Sequence, residues 1–227
     1  MSAPPPILLW IRRDFRLSDH PALSAAVVSG RPIIPVFIRD SGVVALGAAP
    51  KWRLGLGLEK FIETLSVCGS ALVLRSGDAL TSLQALIKET GATAVYWTRL
   101  YDSAAIARDQ AVKKSLRAQG IEARSFGGHL MFEPWDVETK TGGFYRVYSP
   151  MWRMVKDRNV ATPLVAPAQL QAPLNWPVSE RLDAWSLGSA MGRGAAVVRP
   201  YVRLGETAAQ SRLAEFTDGA IALYAEQ

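Results

Sequence analysis

Short runs of apolar and β-branched residues alternate with amphipathic segments from residue 7 to about residue 126. This alternation is typical of a parallel sheet whose two faces are both covered by helices. Strands are predicted over residues 7–11, 32–38, 71–74, 94–97 and 121–125, and helices over residues 21–29, 51–67, 79–90 and 103–119. The pattern therefore predicts an α/β fold, built on a doubly wound five-stranded parallel sheet.

Turn residues mark the ends of these predicted helices. Asp19 lies just before the first helix and Asp78 just before the third, where an aspartate can accept a hydrogen bond from a free amide of the first turn. A glycine follows each of the last three helices, at Gly69, Gly91 and Gly120, as expected of helix C-terminal caps.

The regular alternation stops after about residue 130. An aromatic cluster over residues 144–152 predicts a short buried helix, and four prolines within residues 162–177 predict a semi-rigid connector. A last amphipathic helix is predicted over residues 206–224, with apolar positions at Ala209, Leu213, Phe216, Ala220 and Leu223. Its apolar face has only the α/β domain to pack against, so we expect the chain to be the front portion of a longer protein.

Composition narrows the class of protein. Of the 227 residues, 49% are hydrophobic and 20% charged, which is enough apolar material for a sizeable core, and the formal net charge of +6 allows a polyanionic partner without requiring one. The single cysteine, Cys68, cannot form an intrachain disulfide, and with His20 and His129 alone it cannot complete a Cys/His metal cluster, so no metal is expected. No apolar stretch reaches the roughly 20 residues of a membrane helix, and the start lacks a signal-peptide pattern, so a cytoplasmic protein without membrane contact is expected.

The turn after the first strand is the most informative part of the sequence. Residues 10–21 contain no glycine, which excludes the backbone cradle of dinucleotide-binding and P-loop sites. The turn instead carries three arginines and two aspartates, at Arg12, Arg13, Asp14, Arg16 and Asp19. Taken alone, this pattern also fits an exposed ion-pair cluster that only orders the loop.

Several motifs in order resemble those of the DNA photolyase/cryptochrome family. Residues 10–23 read W-I-R-R-D-F-R-L-S-D-H-P-A-L, similar to the family's W-F-R-x-D-L-R-x-x-D-N-P-A-L. Residues 145–152, Y-R-V-Y-S-P-M-W, resemble Y-x-V-F-T-P-F-W, and residues 205–209, G-E-T-A-A, resemble G-E-x-x-A. Trp52 and Leu54 also match, so the resemblance extends over the whole chain.

The resemblance implies a two-part protein with a Rossmann-like α/β domain at residues 1–130, an interdomain connector at 131–200 and, at 201–227, the first helix of an all-helical domain that holds FAD. Tyr224 matches the tyrosine at the edge of the family's flavin site. Family photolyases split cyclobutane pyrimidine dimers in damaged DNA with an electron from light-excited reduced FAD. The expected function is therefore that of the N-terminal part of a deoxyribodipyrimidine photolyase, a carbon–carbon lyase, acting as a monomer.

The catalytic residues and most of the FAD-binding residues are expected in a C-terminal helical domain outside this chain, so the 227 residues alone should be inactive. In the family, the α/β domain holds a light-harvesting (antenna) chromophore, which requires a cleft with apolar walls and a few directed polar groups. The candidate residues follow the second and fourth strands or begin the second helix: Phe37, Ile38, Arg39, Lys51, Leu54, Arg99, Leu100, Tyr101 and Asp102. Gly55 and Gly57 either let a ring approach that helix or pack it on the sheet.

One departure from the family bears on the chromophore. Folate-binding relatives have an Asn-Glu pair where Ala104 and Ala105 stand here, and methyl groups cannot hydrogen-bond a pterin ring. A deazaflavin, a flavin, a folate in another pose or an empty cleft remain as alternatives. Arg12, Asp14, Arg16 and Asp19 are assigned to bracing the turn and the seam between domains.

Two other functions remain open from the sequence. A cryptochrome, which senses blue light without repairing DNA, has the same architecture, and the basic charge favours a photolyase only weakly. A nucleotide-binding α/β module without photochemistry is the alternative from another class, since this fold hosts many functions.

Overall fold

The structure is a computed structural model that describes residues 4–226, with side chains through residue 224. Five parallel strands pair in the order β3–β2–β1–β4–β5. Their bounds are β1 Ile7–Ile11, β2 Ile33–Arg39, β3 Val73–Ser76, β4 Ala94–Thr98 and β5 Glu122–Phe126. The predicted five-stranded parallel α/β fold is confirmed, and each strand begins within two residues of its predicted start.

Eight α-helices lie within the described residues: α1 Pro21–Val28, α2 Ser41–Val44, α3 Ala48–Val67, α4 Ala79–Thr90, α5 Ser103–Ala118, α6 Tyr148–Val155, α7 Arg193–Val198 and α8 Gly205–Asp218. Helices α1 and α3 contribute to one buried core, and α4 and α5 contribute to the other. The sheet is therefore covered on both faces. None of these helices is long and apolar enough to cross a membrane.

Strand β1 shows why the sequence pattern produces this arrangement. All five of its residues are buried, as expected of a central strand in a parallel sheet. Ile7, Leu9 and Ile11 belong to the core under α1 and α3, whereas Leu8 and Trp10 belong to the core under α4 and α5. The two-residue period of a strand thus divides one apolar run between two cores.

The helix caps agree with the sequence except at α1. The Asp78 side chain accepts from the Thr81 amide, and Gly91 adopts a φ of 68° at the end of α4, both as predicted. Asp19, however, is not the N-cap of α1, because Nδ1 of His20 accepts from the Leu23 amide instead. Asp19 adopts a φ of 46°, and this conformation turns its carboxylate toward the connector.

Residues 159–181 contain no helix or strand, in keeping with their prolines, yet they pack closely on the α/β domain. The Leu170 amide donates to the carbonyl of Cys68, the Ile33 amide donates to the carbonyl of Gln171, and the Glu180 amide donates to the carbonyl of Leu74. Farther along, Trp185 is buried in the core under α1 and α3. The connector and its continuation are therefore part of the packed structure.

The expectations for α6 and for the last helix need correction. Helix α6 forms, but it is not buried: Tyr148 and Trp152 are exposed and stack on each other, with ring centroids 6.2 Å apart. The last helix ends earlier than predicted, because α8 stops before Gly219 and a 3-10 segment, Ala220–Glu226, follows. Its apolar face does not pack on the α/β domain, since the Leu213 side chain is 62% exposed.

Candidate ligand site at the carboxyl edge of the sheet

The strand order places a topological switch point between β1 and β4. From β1 the chain adds β2 and β3 on one side, and it then crosses over to add β4 and β5 on the other side. Ligands of open α/β sheets bind in the crevice outside the carboxyl ends of the strands at such a point. Two adjoining cavities open there, a main cavity of about 600 Å³ and an inner cavity of about 140 Å³. They share Arg13, Asp40, Gly42, Leu100 and Arg108.

The main cavity is charged at its rim. Its polar lining comes from the last residues of β2 and β3, from the segments after the first four strands and from α5: Arg13, Arg39, Asp40, Ser41, Ser76, Asp78, Asp102 and Arg108. The inner cavity is largely apolar and is lined by Trp10, Phe37, Ile38, Val43, Leu46, Leu54 and Leu100. The two together provide an apolar recess beside a rim of guanidinium and carboxylate groups.

The structure divides the residues that the sequence assigned to a chromophore cleft. Six of them line the main or inner cavity: Phe37, Ile38, Arg39, Leu54, Leu100 and Asp102. Arg99 and Tyr101 lie apart from these and line a side cavity of about 240 Å³, together with Leu100 and Trp135. Lys51 lines none of the three cavities.

The two glycines of α3 are explained by packing. A Cβ atom on Gly55 would lie 3.4 Å from Cβ of Leu187, and one on Gly57 would lie 3.5 Å from the Phe15 ring. Neither glycine lines the main or inner cavity. The packing alternative therefore accounts for both positions.

Sequence reasoning missed the short helix α2 and the residues around it. Asp40 caps this helix, accepting from the Val43 amide at 3.1 Å, and it also holds the Arg108 guanidinium at 2.6 Å. The signal was a polar D-S-G run directly after the second strand, and a second G-D pair, Gly77 and Asp78, directly follows the third strand. Both runs lie at strand carboxyl ends, where ligand contacts concentrate.

Arg12 is buried and lines the inner cavity. Its Nη1 contacts both carboxylate oxygens of Asp109, at 2.7 and 2.6 Å, and its Nη2 donates to the carbonyl of Thr98. The guanidinium carbons of Arg12 and Arg108 lie 4.7 and 4.9 Å from the centroid of the Trp10 ring. Burial lowers the pKa of Arg12, and the Asp109 carboxylate opposes that shift. The pair of arginines thus fixes the Trp10 wall of the cavity.

Asp14 and His20 form a second buried pair behind this turn. Oδ2 of Asp14 lies 3.0 Å from Nε2 of His20, and Oδ1 of Asp14 accepts from the Arg12 amide at 2.8 Å. Because Nδ1 of His20 accepts from Leu23, the ring hydrogen is on Nε2 and faces the carboxylate. Burial raises the pKa of Asp14, but the hydrogen bonds from His20 and the Arg12 amide outweigh it and hold that pKa well below its usual range.

Arg16 and Asp19 tie the same loop to distant segments. Nη2 of Arg16 donates to the carbonyl of Gly128 at 2.6 Å and to the carbonyl of Asp19 at 2.8 Å. The Asp19 amide donates to the carbonyl of Leu164 at 2.7 Å, which joins the loop to the connector.

Glu206 fastens α8 to the loop after β1. Its two carboxylate oxygens accept from the Leu17 amide at 2.7 Å and from the Ser18 amide at 2.9 Å, and the Ser18 hydroxyl donates to it as well. Gly205 has a φ of 83°, and a Cβ there would lie 2.7 Å from Cγ of Lys60, so the helix start approaches α3 closely. This contact gives the G-E pair of residues 205–206 a structural role.

Tyr224 lines none of the main, inner and side cavities. It is 78% exposed and meets the edge of the Phe216 ring, with centroids 6.5 Å apart.

At the side cavity, Glu133 accepts from Arg99 at 2.6 Å and from the Tyr101 hydroxyl at 2.8 Å. Burial and the Glu133 hydrogen bond raise the pKa of Tyr101.

The chain is similar in sequence to known photolyases and cryptochromes. The family model for DNA photolyase matches residues 7–170. The deoxyribodipyrimidine photo-lyase of Agrobacterium fabrum is 43% identical over 222 residues, covering 97% of this chain and 46% of the relative. Cryptochrome-1 of Arabidopsis thaliana is 34% identical over 169 residues, covering 72% of this chain and 25% of that protein.

A solved structure agrees with these sequence matches. The crystal structure of a bacterial class III photolyase from Agrobacterium tumefaciens superimposes with a TM-score of 0.94 and 42% identity, covering all of this chain and 47% of that one. The chain thus spans about half the length of the photolyases that it matches across most of its own length.

Proposed function

Because this chain belongs to the DNA photolyase family, we propose that it forms the N-terminal part of a deoxyribodipyrimidine photolyase that repairs cyclobutane pyrimidine dimers in DNA in a light-dependent reaction. The observation that carries the proposal is the 43% identity to a curated photolyase over 97% of this chain. The matching fold, with a TM-score of 0.94 to a class III photolyase, supports it.

The domain division follows the same proposal. Residues 1–130 form the α/β domain, residues 131–200 the connector, and residues 201–227 the first helix of the FAD-binding domain. The hydrogen bonds that the Leu17 and Ser18 amides donate to Glu206 support a seam between the α/β domain and that helix. Tyr224 is the one residue here assigned to the edge of an FAD site, and its exposure fits an edge position that other residues complete.

The α/β domain is proposed to hold a light-harvesting chromophore in the main and inner cavities. A bound chromophore would absorb light and pass its excitation to FAD. The residues fit a flat ring, because Phe37, Leu54 and Leu100 form apolar walls and the recess lies at the switch point. Nε of Arg39 is buried without a hydrogen-bond partner in the described residues, so this guanidinium has donor capacity left for a ligand.

The charge of the rim bears on which chromophore fits. Arg13, Arg39 and Arg108 line the main cavity, and guanidinium groups recognise phosphate and carboxylate through paired donors. We therefore infer a chromophore with an anionic substituent, such as the phosphate of a flavin nucleotide or the carboxylates of a folate tail. Ala104 lines the same cavity, so a folate there would be held through contacts other than the family's Asn-Glu pair.

Filling the main cavity is expected to remove the chromophore. Ala104 is exposed on α5 and lines this cavity, so Ala104→Trp places an indole in the main cavity without disturbing the core. We expect the chromophore released by denaturing the purified whole protein to fall at least about tenfold, since a blocked pocket loses its apolar contacts. Absorbance of the extract at matched protein concentration measures it.

Two variants on the same helix serve as controls. Ala107 is exposed and lines neither the main nor the inner cavity, so Ala107→Trp should retain the chromophore. Gln110 lines the side cavity, so Gln110→Trp should retain it too. Loss of chromophore in Gln110→Trp with retention in Ala104→Trp would move the assignment to the side cavity.

The repair activity is tested on the natural gene product that carries these residues. We expect it to restore dimer-free DNA under blue light, and the polypeptide of residues 1–227 to restore none, because its one proposed FAD contact, Tyr224, is exposed. Dimer content is measured by lesion-specific nicking before and after illumination. Splitting by the 227-residue polypeptide would refute the second expectation.

A cryptochrome-type blue-light receptor is the second candidate, supported by the 34% identity to Arabidopsis Cryptochrome-1. Light-driven flavin reduction without any loss of dimers would favour it. A nucleotide bound to the purified protein, with no chromophore and no response to light, would instead favour the nucleotide-binding module.

A further inference from the structure

A basic cleft lies where α3 meets the start of α8. It has a volume of about 560 Å³ and is lined by Arg53, Tyr201, Arg203, Arg212 and the first turns of α8. None of its lining residues lines the main, inner or side cavity. The cleft is therefore a separate surface feature from the proposed chromophore site.

The charges of the cleft are poorly balanced. Nη2 of Arg53 donates to the carbonyl of Arg203 at 3.0 Å, and among the described side chains, residues 4–224, Arg53 has no carboxylate partner. Glu215 is the acidic partner of the other two arginines, at 3.0 Å from Arg203 and 3.5 Å from Arg212. These pairs are exposed, so they contribute little and can be exchanged for a stronger anion.

An aromatic ring stands beside these cations. Tyr201 is 84% exposed at the edge of the cleft, next to Pro200. An exposed aromatic side chain beside several arginines is the combination that binds nucleotides, because every base can stack on the ring while the guanidiniums hold phosphate. We propose that the basic cleft binds a nucleotide, with its phosphate on Arg53, Arg203 and Arg212 and its base on Tyr201.

The nucleotide could be free or one unit of a single strand, and one experiment separates the two sources. The whole natural protein is titrated into a fluorescent oligonucleotide of undamaged thymidines at about 50 mM salt, and anisotropy reports binding. Arg53→Glu and Arg212→Glu are each expected to weaken binding by about tenfold, because single-strand affinity depends on the phosphates neutralised.

Lys114→Glu is the matched control. Lys114 is exposed on α5, which packs on the other face of the sheet, and the substitution changes the net charge by the same amount. It should alter affinity by less than about twofold, as expected for a distant charge screened by salt. Equal weakening by Arg53→Glu, Arg212→Glu and Lys114→Glu would overturn the proposal.

A neutral variant and a competitor complete the design. Tyr201→Ala should also weaken binding by about tenfold, the share of one stacked base, without changing the dependence on salt. Competition by ADP that is lost in Arg53→Glu would identify a free nucleotide as the ligand, whereas oligonucleotide binding without ADP competition would identify a strand. Light-dependent repair should be unchanged in Arg53→Glu and Lys114→Glu, which lie in the proposed α/β domain, so failure of this site is distinguishable from failure of the proposed function.

Discussion

Replacing Asp14 with alanine is expected to lower the free energy of unfolding by about 3 kcal/mol, because it leaves buried donors without their acceptor. Asp14 is 2% exposed and His20 is 1% exposed, so water cannot replace the lost carboxylate. The Arg12 amide, at 2.8 Å from Oδ1, would lose its partner as well. Urea denaturation of the whole chain, followed by circular dichroism, measures the change.

Acid should weaken the wild-type protein through the same carboxylate. The pKa of Asp14 is lowered in the fold, so its contribution is fully present above the unfolded-state pKa of about 3.9 and is lost as pH falls through the lower folded value. Asp14→Asn keeps the shape but cannot titrate, so its stability should depend less steeply on pH below about 4.

Asp157 offers the control for this prediction. Its side chain is 83% exposed, and Asp157→Ala should change stability by no more than about 0.5 kcal/mol. An Asp14→Ala protein as stable as Asp157→Ala would contradict the bracing role of the first turn.

Replacing Trp185 with alanine is expected to cost about 4 kcal/mol, because it empties a ring-sized volume in the core under α1 and α3. Trp185 is 6% exposed and its ring lies 6.0 Å from that of Phe37. Its Nε1 donates to Glu180 at 2.6 Å. The loss would be as large as for a residue of the sheet, although Trp185 lies in the connector, after its proline-rich residues 162–177.

Two variants make the measurement specific. Trp176 is 38% exposed in the connector, and Trp176→Ala should cost less than about 1 kcal/mol. Trp185→Phe keeps a ring and should lose less than Trp185→Ala. Because the Arg39 guanidinium lies 5.1 Å from the Trp185 ring, the alanine variant should also release chromophore more readily. Equal losses of unfolding free energy in Trp185→Ala and Trp176→Ala would show that Trp185 does not contribute to the core.

The sequence by itself determined the α/β class, the five strands and most helix ends, because these depend on side chains a few positions apart. The division of β1 side chains between the two cores and the glycines after the helices are local features of this kind. The motif at residues 10–23 indicated the family for a related reason, since its matching residues all lie within one short stretch of the chain.

Only the tertiary structure decided which of the candidate residues share a site. Phe37 and Leu100 line the inner cavity, whereas Tyr101, adjacent to Leu100 in the chain, lines the side cavity, to which Leu100 also contributes. The hydrogen bond from the Ser18 amide to Glu206 joins residues that are 188 positions apart. Such contacts depend on how the whole sheet and connector close, and no periodicity within a short window encodes that closure.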